Sequence, residues 1–207
     1  MKKILILIIV LLFGKIINAQ QIVSYNSYLT DENKWTNENL SPKYYKDTAN
    51  RLNIFVGNWK YVNGNQTFIV SIRKEIKVPS KNSDYEIKFY IDELYAHYKL
   101  VQDYGLPTQQ IIYTSQKRIQ SIYPQEWNSI FNGYCYVNNF IHGTIFDVTG
   151  PENVLYPQGV KGDLEMVIDP NVTPNIATWK VTRKLGMTLA GQPTVFNIPL
   201  DVTLTRM

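Results

Sequence analysis

Cysteine and histidine are scarce in this chain, and their scarcity excludes several kinds of site. Cys135 is the single cysteine, so an intramolecular disulfide is excluded. Only His97 and His142 supply imidazoles, which excludes most metal and catalytic arrangements that use several histidines. The chain also lacks a Gly-rich phosphate loop, a paired-cysteine zinc motif and an EF-hand calcium loop. The sequence therefore predicts no metal site and no cofactor.

Long apolar runs are lacking too, except at the N-terminus. Residues 4–13 form an apolar run that follows Met1-Lys2-Lys3 and precedes the small residue Ala19, a pattern typical of a secretory signal peptide over residues 1–19. This run is too short to cross a hydrocarbon core of about 30 Å, and no later stretch comes close to the required length. We therefore expect an exported protein, periplasmic or secreted, without a transmembrane segment.

The basic charge of the whole chain belongs mostly to this leader. The net charge is +4, but Lys2, Lys3 and Lys15 lie in the predicted signal peptide, and removing them leaves 18 basic against 17 acidic residues. A nearly neutral mature chain lacks the positive field that binds polyanions. The sequence therefore predicts no nucleic-acid partner.

Alternation of apolar and polar residues with a period of two dominates the chain from Asn53 onward. In 67–78, for example, apolar residues fall on one face, with Lys74 as the single intruder. Such alternation is typical of half-buried antiparallel strands. The predicted strands span 55–62, 67–78, 85–92, 94–101, 108–114, 131–137, 140–148, 162–168, 176–183 and 196–205.

The mature chain has the length of one domain. We expect a polar but ordered lead-in over 20–50, with a plain linker as the alternative, and a single β domain over 51–207. The one candidate helix spans 125–130. About ten short strands with one apolar face predict an all-β fold, an antiparallel barrel of eight to ten strands, with a two-sheet β-sandwich as the alternative.

One string near the start of this domain carries a resemblance. Gly57-Asn58-Trp59, within the segment 53–61, resembles the opening strand of the calycins, the lipocalins and fatty-acid-binding proteins. In those families the Trp closes one barrel end and an Arg from the last strand covers its ring. The resemblance implies a calycin-like barrel in which Arg206, in phase with the apolar face of the last strand, stacks on Trp59.

A second resemblance covers more of the chain. The polar lead-in with Tyr44-Tyr45-Lys46-Asp47, the segment 55–61, the Asp169-Pro170 turn and the terminal segment 196–199 are together similar to a domain-of-unknown-function family of exported bacterial proteins. This resemblance implies export and a β domain. It implies no activity.

Cys135 and His142 are the one candidate pair for catalysis. If Asn138-Asn139 is a two-residue hairpin turn, Val137 pairs with Phe140 and Cys135 lies opposite His142, which places a thiol beside an imidazole. The alternative is that Cys135, between two tyrosines, is a small buried apolar residue, and no orienting acid accompanies the pair. We favour the second interpretation and expect no enzymatic activity.

Asp92, Glu93 and His97 form the other polar cluster. In a strand, residues 92 and 97 point to opposite faces, so we do not expect them to share a metal ion. We interpret the carboxylates as a solvated strand end.

Aromatic residues are plentiful, with 15 Tyr, 8 Phe and 4 Trp. We expect most to fill the core, while Tyr61, Tyr90 and Tyr95 are candidates to line an open barrel or a sugar-binding platform. The sequence favours a non-enzymatic exported protein that binds a small apolar ligand, with Trp59, Arg206, Tyr61 and Tyr90 at the binding site or barrel end. The alternative is a structural protein of the cell envelope or surface that binds protein or glycan through an exposed face.

Overall fold

The computed structural model describes residues 20–35, 42–81, 84, 86–117, 130–137, 139–150, 159–169, 175–184 and 191–207. Its helical segments are short: α1 (Ser27–Thr30) and the 3-10 turns Glu32–Trp35, Arg51–Phe55 and Ser115–Lys117. The strands are β1 (Ile22–Ser24), β2 (Lys43–Lys46), β3 (Gly57–Asn63), β4 (Gln66–Lys81), β5 (Ile87–Gln102), β6 (Gln110–Thr114), β7 (Ile130–Val137), β8 (Phe140–Asp147), β9 (Val160–Ile168), β10 (Ile176–Arg183) and β11 (Asp201–Arg206). The prediction of an all-β protein is confirmed.

The chain divides into two compact units. The first contains the described residues up to Lys46 together with those of Pro79–Ile91, and the second contains Asp47–Val78 with the described residues of Asp92–Met207. The division therefore passes through β4 and β5. The predicted signal peptide, residues 1–19, and residues 125–129 of the candidate helix lie outside the described residues, while Ile130 begins β7.

The first unit is built on parallel pairing. β1 pairs with β2 in parallel, with Ile22 opposite Tyr44, and β2 pairs in parallel with the start of β5, with Lys43 opposite Phe89. The antiparallel pairing expected for 51–207 therefore does not hold for residues 89–91 of β5, whose partner β2 is parallel. Tyr28, Tyr45 and Phe89 form its core, with ring centroids 5.4 to 5.6 Å apart.

The second unit is antiparallel wherever the described register defines the direction. Its strands follow the order β5-β4-β3-β11-β10-β9-β8-β7, and β6 pairs with β5. A further pairing joins β5 to β7, with Tyr95 opposite Phe131 and Ala96 opposite Ile130. The core of this unit is aromatic: Phe68 lies 6.0 Å from Trp179 and 5.8 Å from Tyr98 between ring centroids.

The strand boundaries differ from the prediction in three places. The two strands predicted over 85–92 and 94–101 are replaced by the single strand β5, which begins at Ile87. The first predicted strand begins as a 3-10 turn at 51–55, so β3 starts only at Gly57. The last strand starts at Asp201 rather than at 196, in keeping with Pro199, which cannot donate to a ladder. Leu200, which the alternation placed on the inward face, is exposed.

The position of Lys74 on the apolar face of β4 is explained by two buried carboxylates. Its Nζ lies 2.8 Å from Asp47 Oδ2 and 4.0 Å from Asp92 Oδ2. Asp47 also accepts hydrogen bonds from the amides of Arg51 and Leu52, at 2.9 and 3.0 Å, and so holds the first turn of the 51–55 segment. The cation on the apolar face thus offsets the cost of burying these charges.

Candidate functional site

A cavity of about 310 Å³ opens in the second unit, where β3, β4, β5, β6 and β11 meet the irregular segment 197–199. Its volume is at the lower end of the range typical of small-molecule sites. The lining residues are Tyr61, Asn63, Gln66, Phe68, Leu100, Tyr113, Asn197, Ile198, Pro199 and Val202.

The lining of this cavity is uncharged and mixed in polarity. Three side-chain amides, from Asn63, Gln66 and Asn197, and two phenols, from Tyr61 and Tyr113, alternate with aliphatic and aromatic carbon. Such a surface offers hydrogen-bond donors and acceptors without a fixed charge. It suits an uncharged molecule with both apolar and polar parts.

Register explains why these side chains share one face. In the β3–β4 hairpin, Tyr61 pairs with Phe68 and Asn63 pairs with Gln66. Directly paired residues project from the same face, and so do residues two apart on a strand. The inward face of the hairpin therefore runs from Trp59 at one end to the cavity at the other.

The described core around Trp179 in the second unit is closely packed. A second, apolar cavity between Ile72, Leu94, Ile141 and Trp179 has a volume of only about 10 Å³. This volume is about the lower limit for one water molecule. The space around Trp179 is therefore too small for a ligand, in contrast to the 310 Å³ cavity.

Trp59 and Arg206 close the other end of the hairpin face. The Arg206 guanidinium carbon lies 4.4 Å from the Trp59 ring centroid, within cation–π distance. Its nitrogens donate hydrogen bonds to the carbonyls of Val56, at 2.9 Å, and Ile54. Gly57 adopts φ +128°, a conformation that L side chains rarely adopt, and so lets the chain turn into β3 beneath the guanidinium.

Asp147 fixes one wall of the cavity. This buried carboxylate at the end of β8 accepts hydrogen bonds from the amides of Asn197, at 2.5 Å, and Ile198, at 3.3 Å. Its other oxygen accepts from the Thr149 amide, at 2.9 Å, and the Thr149 hydroxyl, at 2.6 Å. Asp147 thus binds backbone amides of a wall segment that makes no strand of its own.

Tyr113, on β6, is distinguished within the cavity lining by the hydrogen bonding of its hydroxyl. Its ring contacts Tyr98 edge-on, with centroids 6.3 Å apart. Among the described residues, its hydroxyl is the one buried side-chain oxygen or nitrogen without a hydrogen-bond partner. Burial, and secondarily the nearby Asp147 carboxylate, raises the pKa of Tyr113 well above its ordinary value, so the hydroxyl keeps its proton.

Comparison with known proteins places the chain in one family. Residues 1–207 match a family of unknown function, DUF6705. The chain belongs to DUF6705. No curated protein and no solved structure matches it significantly. The expected membership of a domain-of-unknown-function family is thus confirmed.

The structure separates the predicted site residues of this DUF6705 chain. Tyr61 lines the cavity, whereas Trp59 and Arg206 contact each other and are not part of its lining. Tyr90 pairs with Tyr44 in the first unit and is not among the lining residues. The sequence did not predict Tyr113, Asn197 or Asp147 as site residues. Each belongs to the site through contacts between segments that are far apart in the sequence, and no local pattern indicates such contacts.

The hairpin register at Cys135 and His142 differs from the prediction. Val137 does pair with Phe140, but Cys135 then pairs with Ile141, and His142 pairs with Tyr134. An irregularity between Cys135 and Val137 shifts the register by one residue. The direct opposition on which the thiol–imidazole pair rested is therefore wrong, and the Cys135 side chain lies outside the described part of the structure.

His97 instead contacts a serine. Its Nδ1 lies 3.2 Å from Ser115 Oγ, which also accepts a hydrogen bond from the Tyr98 amide at 2.9 Å. Ser115 is only 1% exposed, so a substrate does not reach its hydroxyl in this conformation. The pair joins β5 to the 3-10 turn 115–117.

Asp92 is buried rather than solvated. It accepts hydrogen bonds from the amides of Asp47 and Lys77, each at 3.0 Å. Glu93 accepts a hydrogen bond from the Tyr95 hydroxyl at 2.6 Å. The interpretation of Asp92 as part of a solvated strand end is thus wrong.

Two further features are absent from the described residues. Within them, no group of three or more His, Cys, Asp and Glu side chains is arranged to hold a metal ion. In the same part of the chain, no helix has the length and apolar character needed to cross a membrane.

Proposed function

We propose that this protein is an exported, non-enzymatic carrier that binds a small, mainly apolar ligand in the 310 Å³ cavity. The cavity itself is the observation that carries the proposal, because it is large enough for a small molecule and its lining includes Phe68, Leu100 and Ile198. The N-terminal pattern of residues 1–19 supports export.

We further propose that the second unit closes as a calycin-like barrel around this cavity. The pairing of β5 with β7 supports closure, because these two strands stand at opposite ends of the eight-strand order given above. The Trp59–Arg206 contact supports the resemblance to calycins, in which an arginine covers the tryptophan at one barrel end. The cavity then lies at the opposite mouth.

The composition of the lining supports a binding role over a catalytic one. It contains no carboxylate, imidazole, thiol or ammonium group, the groups that most often act as general acids, bases and nucleophiles. Amides and phenols suit recognition of an uncharged ligand.

Native mass spectrometry tests the carrier proposal. The mature chain, residues 20–207, is purified without detergent from its producing cells. We expect a reproducible additional mass on the order of a few hundred daltons, in keeping with the cavity size, that is lost on denaturation. A clean apo mass for the wild-type chain would contradict the proposal.

A matched pair of variants ties the bound mass to the cavity. Val202→Trp places an indole at a lining position on β11, whereas Val62→Trp places the same group on an exposed position of β3. We expect the first variant to lose the bound mass and the second to keep it. Retention by both would place the ligand elsewhere on the protein.

An exposed apolar surface favours a second candidate function, binding to another protein. Tyr104, Leu106, Ile111 and Ile112 are all at least 40% exposed, and within the described residues β6 pairs only with β5. A strand edge flanked by apolar side chains is a template for an added strand. In this case the native spectrum shows a discrete protein complex, which Ile111→Lys weakens.

A further inference from the structure

The buried Tyr113 hydroxyl is a hydrogen-bond donor that has no acceptor among the described residues. A buried polar group without a partner costs free energy that a hydrogen bond recovers. Tyr113 lines the cavity, so a bound molecule in the cavity lies against this residue. The site therefore offers a hydrogen bond that a ligand can complete.

Charge around the cavity sets the kind of group that can complete this bond. No residue of the lining carries a charge, and the buried carboxylate of Asp147 acts electrostatically on Tyr113. An anionic ligand group beside Tyr113 would lose its hydration and meet a like charge, and both effects oppose binding. The Arg206 guanidinium does not compensate, because it lies at the Trp59 end.

We infer that the cavity selects an uncharged ligand, an apolar body carrying a carbonyl or hydroxyl oxygen that accepts a hydrogen bond from Tyr113 Oη. This inference rests on the proposed carrier function. Phe68, Leu100 and Ile198 contact the apolar body, and the amides of Asn63, Gln66 and Asn197 are available to further polar atoms. A carboxylate of the same length is rejected.

Three probes with one tail and different head groups test the selection. The mature chain is titrated with decanol, decanoate and decylamine at neutral pH, and binding is measured by calorimetry. We expect decanol to bind at least about tenfold more tightly than decanoate, because only the carboxylate must be desolvated as a charge. Decylamine reports whether the Asp147 carboxylate instead favours a cation.

Removal of one oxygen atom tests the role of Tyr113. Tyr113→Phe keeps the ring against Tyr98 and deletes the hydroxyl, so we expect decanol affinity to fall about three- to tenfold. Tyr104→Phe makes the same change at an exposed tyrosine outside the lining and leaves affinity unchanged. Circular dichroism and thermal unfolding of both variants establish that they fold.

The outcomes separate this inference from the function on which it rests. Equal or tighter binding of decanoate or decylamine, or an unchanged decanol affinity in Tyr113→Phe, overturns the inference while leaving a binding cavity. If none of the three probes binds and the native protein also carries no small molecule, the carrier function itself fails. Decanol selectivity that depends on Tyr113 supports both.

Discussion

Arg206 combines a cation–π contact with two hydrogen bonds to backbone carbonyls. Its guanidinium stacks on the Trp59 indole and donates to two backbone carbonyls of the 51–56 region. Trp59 in turn donates from Nε1 to the Phe55 carbonyl at 2.8 Å. One residue of the last strand thus stabilises the turn that precedes the first strand of the unit.

Arg206→Ala should destabilise the protein by about 2–4 kcal/mol, because it removes a cation–π contact and two charge-assisted hydrogen bonds. Arg206→Lys keeps the charge but cannot reach both carbonyls, so an intermediate loss is expected. Urea unfolding measures the free energy of unfolding. Arg183→Ala, at an exposed position of β10, is the control and should change it by no more than about 0.5 kcal/mol. Equal losses at both arginines would assign Arg206 no special role.

Glu93 should make stability depend on pH. Burial raises the pKa of Glu93 above its ordinary value of 4.5, and the hydrogen bond from Tyr95 only partly opposes this. The folded state therefore holds the proton more tightly than the unfolded state. The contribution of Glu93 to the free energy of unfolding should therefore fall as the pH rises from about the ordinary pKa through the raised pKa. Above the raised pKa this contribution should not change further.

Glu93→Gln tests this by removing the titration while keeping an acceptor for Tyr95. The free energy of unfolding is measured by urea titration from pH 4 to pH 7. We expect the variant to gain stability relative to the wild type as pH rises. Glu86→Gln, at a glutamate with a 66% exposed side chain, reports the effect of the same substitution at the surface. A constant difference between the Glu93 variant and wild type would contradict the prediction.

At the scale of elements, the segment before β11 is held by side chains instead of a strand ladder. Residues 196–200 alternate like a strand, yet the amides of Asn197 and Ile198 bond to Asp147. Pro199 supplies its carbonyl to Trp179 Nε1 at 3.0 Å. The irregular path leaves space beside Tyr61 and Val202, and this space is part of the cavity.

Asp147→Asn should loosen this segment without unfolding the sheet. The substitution removes the charge from bonds to several amides, and charged hydrogen bonds contribute about 1.5–3 kcal/mol each. We expect amide exchange at Asn197 and Ile198 to accelerate about tenfold or more, while exchange in β9 and β10 is unchanged. Asp163→Asn, at a partly exposed aspartate of β9, is the control. Unchanged exchange at both amides would show that the segment is held by other contacts.

The elements that alternation predicts well are those whose pairing is local. β10 matches its predicted bounds, and the Asn138-Asn139 turn correctly places Val137 opposite Phe140. Bulges are harder to predict from sequence. The extra residue near Tyr136 changes every pairing beyond it, and no sequence pattern indicates its presence. Lys77 at φ +56° is another such point, near which Ile76, predicted to face inward, is 72% exposed.

The candidate site was predictable only in part, for a related physical reason. Tyr61 lies on a hairpin whose register follows from its turn, so its inward face can be inferred from the sequence. Tyr113 and Asn197 reach the same cavity from β6 and from the segment before β11. Their proximity to Tyr61 depends on contacts between residues far apart in sequence, which a single sequence does not reveal.

At the scale of the whole molecule, the compact units do not follow the chain as two consecutive blocks. The lead-in and residues 79–91 share one unit because β2 pairs in parallel with the start of β5. Parallel partners cannot be joined by a tight turn, so their pairing leaves no hairpin signal in the sequence. The large aromatic residues within the polar segment 20–50 therefore predict order there, but they do not predict its strand partner.

Closure of the second unit is testable through the β5–β7 pairing alone. If the strands form a barrel, backbone NOEs in solution should connect Ala96 with Ile130 and Tyr95 with Phe131, the pairs that join the ends of the strand order. NOEs between Lys99 of β5 and Thr114 of β6 serve as the positive control, because they involve the same strand β5. A two-sheet sandwich keeps the control NOEs and lacks those between β5 and β7. Closure would leave β5 and β7 without a free edge along these residues, so their amides should exchange as slowly as those of β9 and β10.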